Sequence, residues 1–376
     1  MLFKDVVGQQ DIRIRLIQMV REHRIGHALM FAGGEGSGNL GLAIAFARYI
    51  NCLNPDPEDS CSECASCRKY SKLAHPDLHL IFPVAETKES GKDPVSDDFI
   101  GAWRECILAN PYTSLFRWYE HIGIEKKQGS INRSESLQII RKLSFKNFEA
   151  TYKVVIIWMA EKMNLSASNK LLKILEEPPE NTVFILVSGE VNQIIPTIFS
   201  RTQLIHVPRI DSESMALAIR EKHTITDQSR IDSLVRLADG NYLQLTGSLE
   251  EVQESANRFE MFVSLMRMCF ARDFGGISDW IDKMAVQGRE KQKQFFQYAL
   301  RMIRGNFILN IEAGDIDLLS EEERDFSIKF SKFVHPGNIF PIYDELNKAS
   351  IHIECNGYSR LILFDLSVKI ARLLKP

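Results

Sequence analysis

The sequence predicts an α/β fold: a parallel β-sheet covered by helices, carrying an inserted cysteine module, then a small helical unit and an all-helical C-terminal domain. Three features predict it. Up to Pro208, short β-branched apolar runs alternate with amphipathic helical stretches, the pattern of strands buried on both faces. One of those runs leads straight into a glycine-rich turn. Beyond Pro208 only helical periodicity continues. The expected boundaries are 1–208, with the cysteine module at about 50–70, then 209–248 and 249–376.

In chain order, Ile12, Leu16, Met19 and Val20 mark a first amphipathic helix, and His27 to Ala32 an apolar strand. A helix from Leu40 to Tyr49 runs into the cysteines. Thr87 to Asp98 is polar with glycine and proline and reads as an exposed loop. Phe99, Trp103 and Ile107 then recur at helical spacing, either a packing face or an exposed aromatic patch for a partner. A second strand is expected at Lys153 to Ile157, ending in Trp158-Met159, and a third at Val183 to Val187, ending at Ser188. Between them a helix from about Ala167 to Glu177 stops before Pro178-Pro179, whose rings and missing N–H forbid continuation. The stripes Phe259, Phe262, Met266, Phe270 and Phe296, Leu300, Ile303, Phe307 predict core-facing helices of an oligomerisation domain.

Two local patterns carry chemistry. Gly33 to Leu40 reads Gly-Gly-Glu-Gly-Ser-Gly-Asn-Leu. Gly33, Gly36 and Gly38 supply the skeleton of a phosphate-binding loop, but Asn39 stands where its lysine belongs and Leu40 where its hydroxyl belongs. An amide cannot offset triphosphate charge, and leucine cannot ligate magnesium. The loop is therefore either a nucleotide site that has lost its chemistry or an ordinary turn between strand and helix. The second pattern is Cys52, Cys61, Cys64 and Cys67, spaced C-x8-C-x2-C-x2-C. Four soft thiolates suit tetrahedral structural zinc with no open position; a redox dithiol would need only two. The other three cysteines, Cys106, Cys269 and Cys355, lie in apolar helical contexts and are expected in the core.

The 376 residues suffice for two or three domains, each with its own core. A formal charge of −3 gives no global attraction to nucleic acid or acidic membranes, so any DNA contact must come from a local basic patch. The amino terminus shows no secretory pattern, and the longest apolar runs are far below spanning length. A cytoplasmic protein without a membrane partner is expected, its cysteines reduced.

A larger ordered set of residues now matters. It runs through Gly8-Gln9, His27-Ala28, the four cysteines, His75-Pro76-Asp77 and Ala160-Glu161-Lys162-Met163-Asn164. It continues through Asn169 to Pro179, with its Leu-Leu-Lys-Ile-Leu-Glu-Glu-Pro-Pro, and Ser200-Arg201-Thr202. Over roughly residues 3 to 210 this resembles the AAA+ clamp-loader subunits of bacterial DNA polymerase III, in particular the delta-prime type. The C-terminal helices agree only in texture.

The resemblance implies specific roles. ATP-hydrolysing members keep the loop lysine and an acidic pair after the second strand, where this chain has Asn39, Trp158 and Met159. Near Gly240-Asn241-Tyr242-Leu243 no arginine stands at the family's second sensor position. ATP is therefore not expected to be hydrolysed, and its binding is doubtful. The cysteines match the family's zinc module. Ser200-Arg201-Thr202 matches its Ser-Arg-Cys motif, whose arginine acts in trans on a neighbouring subunit's ATP. An arginine in a loop is ordinarily a solvated charge, and only the motif assigns Arg201 more. Glu176 and Glu177, adjacent at a helix end, read as structural or intersubunit contacts. The implied partners are delta and gamma/tau type subunits, with the sliding clamp and primer-template DNA reached through the complex. Rival readings are an active gamma/tau-like ATPase and a zinc-dependent nucleic-acid-binding protein. The stretch from about Glu86 to Ser130 is longer than the family leads one to expect.

Overall fold

The computed structural model describes residues 1–88, 90–223, 228–250, 252–311 and 319–374. Residue 89 of the expected 87–98 loop, residues 224–227 of the expected 209–248 unit, and 251, 312–318 and 375–376 of the expected 249–376 domain lie outside them. The chain divides into two compact units, Met1–Ile231 with Ala238–Gln244, and Asp232–Leu237 with Leu245–Pro376.

The first unit is built on five strands: β1 (Ala28–Ala32), β2 (Leu78–Ile81), β3 (Lys153–Trp158), β4 (Thr182–Ser188) and β5 (Gln203–His206). They form one parallel sheet in the order β2-β3-β4-β1-β5. In register, Ala28 pairs with Phe184 and Ala32 with Ser188, while Leu29 pairs with Gln203. Alternate side chains serve two cores. Leu29, Phe31, Val154, Ile156, Val183 and Ile185 pack with helices α1 (Gln10–Arg21) and α2 (Asn39–Ile50). Met30, Val155, Ile157, Phe184 and Leu186 pack with α6 (Arg133–Leu143) and α7 (Leu165–Glu176). This is the expected parallel sheet, covered on both faces. The α7 helix starts two residues earlier than expected, because the Asn164 side chain accepts the Ala167 N–H at 2.8 Å and caps it.

Two short elements differ from expectation. β2 and β5 lie at the sheet's edges, and β5 exposes three of its four residues; neither has the long apolar run that marks a central strand. The His75-Pro76-Asp77 motif proves structural. Asp77 accepts the N–H groups of Phe148, Glu149 and Ala150 at 2.7, 2.9 and 2.9 Å. Burial raises its pKa, but these donors outweigh it and hold the carboxyl below the usual range.

The 86–130 stretch contains α4 (Ile100–Ala109) and α5 (Leu115–His121); the short α3 (Ala65–Tyr70) precedes it. Trp103 and Ile107 are buried and Phe99 packs against the core, so the helical stripe is a packing face. Trp103 stacks on Phe82 at 4.2 Å and meets Trp118 edge-on at 5.0 Å and Trp158 at 4.9 Å. The expected exposed loop is corrected at its end, where Pro94 and Ser96 are buried. Asn132 Nδ2 donates to the Pro94 carbonyl at 2.8 Å, and the Ser96 N–H donates to Glu135 Oε2 at 2.6 Å.

Burial pushes the Glu135 carboxyl up to about 7. Its folded pKa lies above its unfolded value, so the native state holds more protons across that window and stability falls as pH rises through it. We expect Glu135→Gln, which keeps an acceptor for Ser96, to stabilise the chain at pH 8 by on the order of 2 kcal/mol. The gain should vanish near pH 4.5 in denaturant melts run at both pH values.

The remaining segments of the first unit include α8 (Pro196–Phe199) and α9 (Ser212–His223); α10 (Gln228–Ala238) and α11 (Tyr242–Glu250) follow in sequence. The second unit contains α12 (Val252–Ala271), α13 (Phe274–Ala285), α14 (Arg289–Asn310), α15 (Glu321–Phe330), α16 (Ile339–Glu354) and α17 (Ser359–Leu373). Phe262, Met266, Phe296 and Ile303 are buried in its core, with Phe259, Phe270, Leu300 and Phe307 packed at its margin. Cys269 is buried there too, and Cys106 is half-buried in the first unit. Cys355 departs from expectation and is exposed, because it follows the last residue of α16 as the chain turns. Among the described residues no helix is long and apolar enough to cross a membrane.

Candidate functional site

Three places in the first unit hold the residues singled out by sequence. The first is the glycine loop, at the carboxyl end of β1, where open parallel sheets bind ligands. The Gly33 N–H donates to the Ser188 carbonyl at the end of β4, 3.1 Å away. Gly36 and Gly38 adopt left-handed φ of 73° and 87°, which glycine takes without a Cβ penalty. Gly38 caps α2, which starts at Asn39. In place of a cation reaching outward, Asn39 folds inward: its Nδ2 donates to the Gly33 carbonyl at 2.7 Å and its Oδ1 accepts the Leu40 N–H at 2.8 Å. Leu40 is buried.

The loop is also covered. The Tyr242 N–H donates to the Gly36 carbonyl at 3.1 Å, and the Asn241 side chain caps α11 through the N–H groups of Leu243 and Gln244. A Cβ on Gly36 would fall 1.8 Å from Asn241 Oδ1. Where an acidic pair would follow β3, Trp158 is buried in the aromatic cluster and Met159 takes a left-handed φ of 54°. The nearby acid is Glu161, whose Oε1 accepts the Gly189 N–H at 3.2 Å. Its Oε2 is buried with no hydrogen-bond partner, and burial raises its pKa.

The second place lies at the other end of the sheet. Ser200 caps α8, and Arg201 follows. Arg201 Nη1 donates to the Thr197 carbonyl at 2.9 Å, and its Nη2 pairs with the Glu176 carboxylate at the end of α7. Ser200 Oγ donates to the same Thr197 carbonyl at 3.2 Å. An open cleft of ≈ 470 Å³ runs past Arg201 and Glu176 to Gly26, His27 and Ala28 at the amino end of β1. The length of β1, five residues or about 16 Å, thus separates Arg201 from its own chain's glycine loop. A guanidinium cannot span that distance, so Arg201 does not reach the glycine loop of its own chain.

The third place is the cysteine cluster. The four Sγ atoms lie within 4.8 Å of one another. Cys52 is 3.5 Å from Cys61 and from Cys67, and Cys61 is 4.0 Å from Cys67. A tetrahedron with Zn–S bonds of ~2.3 Å requires S···S of about 3.8 Å, close to these three distances, so the four thiols suit one such ion. The N–H groups of Cys61 and Cys67 point at Cys52 Sγ and Cys64 Sγ, at 3.3 and 3.4 Å, favouring thiolates. Backbone N–H groups of Cys64 and Glu63 bring the Cys61 thiol down to about 6, while burial pushes Cys52 up. Asn51, which the spacing did not mark, ties the cluster to the sheet domain. Its Nδ2 donates to Tyr70 Oη and to the Tyr152 carbonyl, both at 2.8 Å, and its Oδ1 accepts the Tyr152 N–H at 2.9 Å.

Residues 8–211 match a protein-family model described as DNA polymerase III, delta subunit. The chain is 27% identical over 256 residues to DNA polymerase III subunit tau of Bacillus subtilis, covering 68% of this chain and 35% of that protein. It is 23% identical over 315 residues to DNA polymerase III subunit delta' of the same organism, covering 84% of this chain and 81% of that protein. A further relative is DNA polymerase III subunit tau of Escherichia coli, 23% identical over 243 residues, 64% of this chain and 31% of that protein. The chain thus spans about a third of the tau relatives and most of the delta' relative.

Proposed function

We propose a function from one premise: the chain belongs to the DNA polymerase III delta-subunit family. In a sliding-clamp loader it is the delta-prime type subunit, which turns over no ATP itself and lends Arg201 to the ATP held by a neighbouring gamma/tau type subunit. Its partners are that subunit, the delta subunit and, through the complex, the sliding clamp and primer-template DNA, in the cytoplasm. Residues 209–248 serve as the lid and 249–376 as the collar that joins the subunits. Zinc at Cys52, Cys61, Cys64 and Cys67 is structural; bound there, it supplies cross-links that hold the module's turns, and no step of ATP chemistry.

The observation that carries this reading is the inward fold of Asn39 onto the Gly33 carbonyl. Together with Leu40, Trp158 and Met159, it leaves the loop without a phosphate cation, a magnesium hydroxyl or a pair of acids. The placement of Arg201 at the opposite end of β1 from the loop supports action in trans. Its guanidinium has five donors, of which Thr197 and Glu176 engage part, and a planar fork suits the oxygens of a γ-phosphate. Ser200 positions the turn. The gamma/tau-like alternative requires a working site, which those same four residues oppose.

The test is ATP turnover by the isolated chain. We expect none above buffer; turnover that follows the protein through every column and is lost on changing Gly38 would exclude the reading.

A further inference from the structure

The 86–130 segment has no part in the reading above, yet it reaches the glycine loop. Between α4 and α5 it carries Tyr112, which is 5% exposed. Tyr112 Oη accepts the Val7 N–H at 2.7 Å. Its ring packs on Tyr242 with centroids 4.5 Å apart. A Cβ built on Gly38 would lie 3.3 Å from the Tyr112 ring and 3.0 Å from Val6. Tyr112 is therefore seated against the last glycine of the loop, and Asn241 and Tyr242 sit against Gly36. A phosphate-binding loop works by presenting backbone N–H groups to an approaching anion, and here a phenol ring lies against one of its glycines and an amide against another.

We propose that the 86–130 segment is an internal plug that keeps nucleotide out of the glycine loop, with Tyr112 as its pin and Asn241 as the second closure. Loss of the loop's charged groups and filling of its mouth are separate devices: the first removes affinity, the second removes space. The α4 and α5 helices anchor the pin through Trp103 and Trp118, which stack into the sheet domain against Phe82 and Trp158. The same insertion thus buries the tryptophan that replaces one acid of the pair and delivers the tyrosine that closes the loop. The chain then holds one conformation whatever the nucleotide concentration. The proposal rests on reading Gly33 to Leu40 as a former phosphate loop and is independent of Arg201.

The experiment restores the loop with Asn39→Lys and Leu40→Thr in the full chain, with and without Tyr112→Ala and Asn241→Gly, and measures MgADP binding by equilibrium dialysis. With the closures intact, the restored loop should bind no better than the parent chain; with both removed, binding should tighten at least about tenfold. Equal binding with and without the closures would overturn the plug, as would no binding after both are removed. Should the fourfold variant unfold, Tyr112→Phe keeps the ring and loses only the acceptor. Hydrogen exchange at the Val7 amide should then quicken about fivefold, and an unchanged rate would overturn the pin. Both readouts use the isolated chain, so they fail or succeed separately from the in-trans role of Arg201.

Discussion

Arg201→Ala, carried into a reconstituted clamp loader, is expected to lower DNA-stimulated ATP turnover while folding, zinc content and assembly stay intact. In phosphoryl transfer an arginine supplied in trans stabilises charge developing on the γ-phosphate oxygens and is worth about 10³ to 10⁵ in rate at the site it serves. This chain would serve one site of several, so total turnover should fall only by that site's share. Assembly should survive because Arg201 is half-buried in an open cleft and its contacts are local, to Thr197 and Glu176. A solvent-accessible pair of this kind contributes at most about 1 kcal/mol to stability. Gel filtration of the complex checks assembly, and single-turnover kinetics isolates the affected site.

The second large effect concerns the cysteines. One zinc per chain is expected by elemental analysis, and Cys64→Ser should release it and open residues 50–70 to proteases. The module has little apolar core of its own beyond Ile50, Cys67 and Tyr70, so metal–ligand bonds replace packing. Structural zinc sites bind with about 10–16 kcal/mol, far above any hydrogen bond that serine could offer. Asn51 should confine the damage: it holds Tyr70 and Tyr152 independently of the metal, so the sheet's melting transition should persist while the module frays. Gently purified protein without metal, or unchanged proteolysis of Cys64→Ser, would contradict a structural zinc centre.

How far the sequence could be read depended on whether each constraint was local. The central strands β1, β3 and β4 were legible because each buries a continuous apolar run, and α7 because Pro178-Pro179 ends it. The cysteine cluster was legible because its spacing is itself the geometry. The edge strands β2 and β5 were not, since four residues with polar members carry no period. Long-range contacts were also invisible. Nothing near Tyr112 in sequence says that it meets Val7, and nothing near Asn241 says that it covers Gly36. Glu176 was read as a structural or intersubunit contact, and only the fold puts it beside Arg201. Cys355 failed for a different reason: an apolar helix lends its hydrophobic look to the residue just past its end, where the chain has already turned to solvent.

The most direct test of the in-trans role is clamp loading onto primed DNA by complexes that carry Arg201→Ala or Arg201→Lys, with equal assembly verified first. Loading should fall sharply in both, because coordinated sites gate one mechanical step and a lysine's point charge does not reproduce the planar fork. Wild-type loading by the alanine complex would contradict the role assigned to Arg201 and leave Ser200-Arg201-Thr202 as a purely structural turn.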